Sequence, residues 1–197
     1  RKWLALRGRM LVEKLLRTTD EGDRKDKQIA LDISVLVAGL LKDLGELDIA
    51  EPMYRCVLRL REDLLGKDNA RTIKALQNLG SLLQALHSQR VNLESTRAKE
   101  NLAEAELLFR RALVKQEQLL GLTDPVTLQA INNFAVFCQQ YEKFREAELL
   151  YRRAYKGFEK AYGKLHEHTL QAGHNLASLL HEEGSNTEAA ELYVEVY

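Results

Sequence analysis

Cysteine and proline are both scarce, two of each among 197 residues. Two thiols, Cys56 and Cys138, are too few for a disulfide scaffold, and they read as packing residues of a reduced, intracellular protein. So few prolines leave room for long uninterrupted regular structure. A net charge of one sign is missing too, since 29 Lys and Arg balance 29 Asp and Glu. No bulk field therefore points to nucleic acid or to an anionic membrane. The longest nearly apolar run, ISVLVAGLL from Ile33 to Leu41, is about half of what a bilayer crossing requires. No signal-peptide pattern opens the chain. These absences predict a soluble, cytoplasmic protein with no nucleic-acid partner and no membrane insertion.

Motifs for chemistry are equally sparse. There is no glycine-rich phosphate loop, zinc-protease helix or paired-cysteine metal motif, and no serine or cysteine nucleophile has a base placed by a recognisable pattern. The one histidine cluster is HEH, His166 and His168, with His174 and His181 downstream. A zinc site and a helix cap are the two readings of His166, and the cap is preferred because it falls between two helical segments. No enzyme activity, metal or cofactor is expected.

What is present is repetition. AELLYRRAYKGFEKAYG from Ala147 matches AELLFRRALVKQEQLLG from Ala105, and AEPMYRCVLRLREDLLG from Ala50 matches both. Upstream of each lies a second recurring segment: TIKALQNLGSLL from Thr72, TLQAINNFAVFC from Thr127, TLQAGHNLASLL from Thr169, and a weaker ALDISVLVAGLL from Ala30. The unit is two helices, A then B. Small residues recur in helix A (Ala38, Gly80, Ala135, Ala177) and in helix B (Ala50, Ala105, Ala147, Ala189), which predicts a close crossing. Tyr54, Phe109, Tyr151 and Tyr193 follow one turn later and suit the space between neighbouring repeats. Gly66, Gly121 and Gly163 suit a left-handed residue at the end of helix B, and Asp124 with Pro125 reads as the cap of the next helix.

NNFA, HNLASLL, EAELLYRRA, and LG followed by a cap and a threonine resemble the tetratricopeptide repeat in its 42-residue variety, that of kinesin light chains and nephrocystin-like proteins. The resemblance implies an all-α fold, a right-handed superhelical solenoid of about four antiparallel helix pairs. The expected repeats cover residues 27–68, 69–123, 124–165 and a truncated 166–197, within an array over 25–197. The second repeat holds thirteen extra residues within HSQRVNLESTRAKENLAEA, which is polar and free of proline and glycine, and this predicts lengthened helices at about 87–101. Residues 1–24 match poorly and read as a degenerate helix B or a capping segment. Because the sequence starts and stops inside apparent helices, it reads as a piece of something longer.

Within the third repeat, Leu128, Ile131, Phe134, Ala135 and Cys138 share one apolar stripe, while Gln129, Asn132, Asn133, Val136 and Gln140 lie on another. The resemblance places this second stripe on a concave, peptide-binding groove. Register then assigns Lys74, Gln77, Asn78 and Ser81 in the second repeat, Gln171, His174, Asn175 and Ser178 in the fourth, and the more apolar Val35 and Leu36 in the first. Asparagine is a poor helix former, so Asn78, Asn133 and Asn175 at one register position call for a reason. Either their carboxamides pair with the main chain of an extended peptide, or they make structural bonds between helices. Asn132, which varies to Gln77 and His174, is expected to face ligand or water. The arginine pairs Arg110, Arg111, Arg152 and Arg153 have acidic neighbours and read as a salt-bridged face rather than a basic contact strip.

The expected function is a non-catalytic scaffold that binds an extended segment of a protein partner. The resemblance adds a cargo or adaptor role in a microtubule- or cilium-associated setting. The alternatives are a regulatory sensor arm of a larger signalling ATPase or enzyme, and a module that self-associates through the ends of its array.

Overall fold

The structure, a computed structural model, describes residues 24–90 and 96–196. The degenerate helix or cap expected over residues 1–24 falls, up to residue 23, outside the described residues, as does the stretch 91–95 of the insertion. Among the described residues there are eight α-helices and no strand: α1 (Arg24–Asp43), α2 (Leu47–Leu65), α3 (Ala70–Arg90), α4 (Thr96–Leu120), α5 (Pro125–Gln140), α6 (Phe144–Tyr162), α7 (Glu167–Glu182) and α8 (Asn186–Val196). They form four A–B pairs in the order that the repeats predict. The chain divides into two compact units, Arg1–Ala112 and Leu113–Tyr197.

In the first unit α1 packs on α2 and α2 on α3. Leu31 of α1, Val57 of α2 and Ala75 of α3 form a buried cluster, with Val35, Leu58, Leu60 and Leu64 against it. Gly80 shows why the crossing demands small residues. A Cβ there would lie 3.2 Å from the Phe109 ring and 3.4 Å from the Ala105 carbonyl, so α3 and α4 meet backbone against side chain. Thr72 Oγ1 donates to the Gly66 carbonyl at 2.8 Å, satisfying an acceptor that the end of α2 leaves open. Asn69 caps α3, its Oδ1 accepting from the Arg71 N–H at 2.9 Å.

The insertion lengthens both helices of its repeat. Helices α3 and α4 have 21 and 25 residues, against 16 in α5 and 19 in α6. The added turns pack back on their own unit: Ala98 is buried, its carbonyl lies 2.8 Å from His87 Nδ1, and Arg97 reaches Glu51 at 3.3 Å.

The second unit repeats the plan. Helices α5 to α8 pack consecutively, and α5 also touches α7. Ala135, Ala147 and Ala177 are fully buried and Ala189 nearly so. Thr169 Oγ1 donates to the Gly163 carbonyl at 2.8 Å, the same tie as Thr72 makes. Asp124 accepts from the Val126 N–H with Pro125 at the first helical position, as expected. Gly66 and Gly163 do have positive φ (88° each), but ψ is 163° and 169°, so they are extended mirror-image residues rather than left-handed helical ones. That region is open essentially to glycine alone.

The arginine pairs are engaged in ion pairs along the B helices. Arg55 forks onto Glu104 at 2.6 and 2.7 Å, and Arg111 pairs with Glu62, all within the first unit. In the second unit Arg153 pairs with Glu117 at 2.6 Å and Arg152 with Glu148 and Glu188 at 2.7 Å each. Arg110 pairs with Glu106 one turn away at 2.9 Å.

Candidate functional site

The second face of helix A is best displayed in the second unit. On α5, Asn133, Val136 and Gln140 are exposed and Gln129 is half-buried. Four residues apart, Gln129 and Asn133 stand one turn above the other, and Gln129 Nε2 donates to Asn133 Oδ1 at 3.0 Å. On α7, Gln171 and His174 are exposed, with Asn175 and Ser178 half-buried. The His174 ring lies 5.6 Å from that of Tyr193 on α8.

Asn132 departs from expectation. Only 4% of it is exposed, and its Oδ1 accepts from Asn175 Nδ2 at 3.3 Å. The pair joins helix A of one repeat to helix A of the next, and the bond offsets the cost of removing Asn132 from water. Asn132 is therefore a structural residue, and Asn175 is committed at least in part to the same link. Of the three asparagines at one register position, Asn133 alone is exposed, while Asn78 and Asn175 are half-buried.

In the first unit, α3 exposes Lys74 and half-buries Gln77, Asn78 and Ser81, while α1 exposes Leu36 and half-buries Val35. Ser81 Oγ accepts from Lys42 Nζ of α1 at 2.6 Å. Burial lowers the Lys42 ammonium below its ordinary range, against the opposing charge of Asp43.

Lys42 has a counterpart in the second unit that sequence reasoning also missed. Gln139 Nε2 donates to Glu182 of α7 at 2.8 Å, and its Oε1 accepts from the buried Tyr151 hydroxyl at 3.0 Å. Lys42, Gln84, Gln139 and His181 occupy one register position. Unbroken polarity at that position was the available signal.

The histidine cluster resolves into a cap. His166 Nδ1 accepts from the His168 N–H at 3.2 Å, and its ring stacks on Tyr162 with centroids 4.2 Å apart. Among the described residues no three His, Cys, Asp or Glu side chains stand where they could hold a metal ion together. No described helix is long and apolar enough to cross a membrane.

Paired helices, small-residue crossings, threonine ties and an amide-bearing A face define an all-α repeat scaffold. The family model of the tetratricopeptide repeat matches residues 37–70. A crystal structure of BtubC (BKLC) from P. vanneervenii superposes with a TM-score of 0.68 at 19% identity, over 99% of this chain and 71% of that one. A putative kinesin light chain from Podosopora anserina with nearly identical TPR-like repeats superposes with a TM-score of 0.63 at 18% identity, over 98% of this chain and 94% of that one. No curated protein matches the chain significantly. The chain therefore has the all-α helical-repeat fold of these TPR-like solenoids, with a tetratricopeptide repeat matched at residues 37–70, and a repeat of this kind is in general a scaffold for protein–protein contact.

Proposed function

We propose that the chain is a non-catalytic scaffold that holds an extended peptide segment of a protein partner on its A helices, chiefly on the α5 and α7 face of the second unit. The observation that carries this reading is the carboxamide pair of half-buried Gln129 and exposed Asn133, on the same A faces as exposed Val136, Gln140, Gln171 and His174. Carboxamides offer a donor and an acceptor to successive main-chain groups whatever the side chains of the ligand, and Val136 adds an apolar contact. Lys74, Gln77, Asn78 and Ser81 are the corresponding positions in the first unit, next to Val35 and Leu36. A cargo or adaptor role in the cytoplasm, in a microtubule-linked setting, is the use that likeness to kinesin-light-chain-type repeats favours.

The test is selection of binders from a displayed peptide library, followed by titration of the best peptide against three variants. Asn133→Ala should weaken binding by roughly tenfold, the scale of one lost hydrogen bond in a desolvated contact, and leave helicity and Tm unchanged. Asn132→Ala should lower Tm, since it breaks the Asn175 link. Binding undiminished by Asn133→Ala combined with Gln129→Ala would sink the assignment of this face.

A further inference from the structure

The apolar run noted at Ile33–Leu41 belongs to a longer exposed stripe on α1. Ile29 is 58% exposed, Ile33 41%, Leu36 68%, Leu40 64% and Leu44 71%. Leu44, just past the end of the helix, still donates its N–H to the Leu40 carbonyl at 3.0 Å, so the five side chains follow helical geometry. At 100° per residue they fall within about 80° of arc and extend over roughly 22 Å.

This register is covered elsewhere in the same unit. Ala75, Leu82 and Leu86 of α3 stand where α1 has Ile33, Leu40 and Leu44, and all three are buried. Ala75 is buried among Leu31 of α1 and Val57 of α2. On α1 the corresponding positions carry equally apolar residues that no described residue covers. Five such side chains expose on the order of 500 Å² of apolar surface, the size of patch that marks contact sites on monomers.

Its spacing says what fits it. The positions are symmetric about a point between residues 36 and 37: Ile29 mirrors Leu44, and Ile33 mirrors Leu40. A second copy turned by a two-fold axis through that point lays α1 antiparallel on α1, with Ile29 on Leu44, Ile33 on Leu40 and Leu36 beside its own copy. Two stripes together would bury about 1,000 Å², the lower limit for a specific interface. Asp32, on the border of the stripe, is already paired with Arg61 at 2.7 Å, and the net charge of zero sets up no long-range repulsion between copies.

We propose that the α1 stripe Ile29–Ile33–Leu36–Leu40–Leu44 is a two-fold self-association face by which two copies of this chain pair. Its residues all belong to the first unit and are none of those proposed for the peptide face of the second. Light scattering behind size exclusion, over about a hundredfold range of concentration, should show the mass rising from 22.5 kDa to twice that. Leu40→Lys with Leu44→Lys should hold the chain at the monomer mass throughout, with unchanged helicity and unchanged peptide binding. With Cys56→Ser as background, Leu36→Cys at the axis should cross-link between chains faster than Ile33→Cys away from it. A monomer at every concentration overturns the proposal, as does a dimer that survives the lysine pair or cross-linking without preference for residue 36. A monomer whose Leu40→Cys resists maleimide would show instead that another segment of the chain, or a partner, occupies the stripe.

Discussion

Helices α1 and α5 play the same part in their repeats, yet their equivalent positions differ either in environment or in chemistry. Ile33, Leu36 and Leu40 of α1 are large, aliphatic and exposed, whereas Ala130, Asn133 and Phe137 of α5 are buried, exposed and buried in turn. At these three positions of α5, polarity and exposure agree, and the pattern is that of an interior repeat with one wet face. In α1 they disagree, and a face with the composition of a core stands open. Within one repeat family, then, the register says where a side chain points, and neighbouring helices decide whether it is buried. On the readings proposed above, the A face of α5 suits a polar, main-chain ligand, while that of α1 suits another apolar helix.

The sharpest way to break this comparison is to truncate one residue of the shared register in each helix. Phe137→Ala empties a site that is 1% exposed and should cost about 3–5 kcal/mol. Leu40→Ala, measured in denaturant at concentrations where the chain is monomeric, should change stability by less than about 0.5 kcal/mol. A similar loss at both positions would mean that the α1 stripe is covered in the isolated chain.

A smaller effect of opposite sign is expected at the A–B turns. After α1, α5 and α7 the chain closes one and the same turn, with a bond from Glu46 to Leu41, from Lys143 to Cys138 and from Ser185 to Leu180, each N–H to carbonyl at 2.8–2.9 Å. The residue in the left-handed region is Gly45 (φ 77°), Gly184 (φ 82°) and, in the third repeat, Glu142 (φ 59°). Gly45→Ala should cost about 1 kcal/mol. Glu142→Gly should gain roughly 0.5 kcal/mol, the relief of strain outweighing the added freedom of the unfolded chain. Thermal melts of the two variants should move in opposite directions from the parent.

Local features of the fold were the legible ones. The Asp124–Pro125 start, the His166 cap and the lengthened helices of the second repeat each rest on residues close together in the chain, and the small-residue crossings were marked by their recurrence at one register position. What periodicity could not supply was the long-range partner. Asn132 reads as outward-facing because it is polar, but its burial depends on Asn175, 43 residues away. Arg61 likewise looks like a surface charge, yet it is 4% exposed and bonds to Asp32 and to the Arg71 carbonyl. The α1 stripe posed the converse difficulty, since an apolar run reads as core until the neighbours that should cover it are counted. For the candidate site, register showed which residues share a stripe of helix A, and only the packing of α5 on α7 separated Asn133, on the surface, from Asn132, beneath it.

The smallest effect expected concerns acid and the ion pairs of the first unit. Hydrogen bonds from Arg55 hold the Glu104 carboxyl below its ordinary range, more than partial burial raises it. A carboxyl whose folded value is depressed stabilises the fold fully above its unfolded value, near 4.5, and that contribution is lost as pH falls through the lower folded value. The Glu104 side chain is 37% exposed, so solvent screening limits the contribution to about 1 kcal/mol or less. Melting followed from pH 7 down to pH 3 should therefore show a shallow acid decline, part of which disappears in Glu104→Gln. Because Arg55 also contacts Glu51 at 3.0 Å, it keeps one partner in that variant, and the loss at neutral pH should stay small. A variant that melts much lower at pH 7 but declines with acid as steeply as the parent would show that Glu104 contributes by packing. In that case the ion pairs between α2 and α4 would follow helix contacts already set by Gly80, Ala105 and their neighbours, and would not help to fix them.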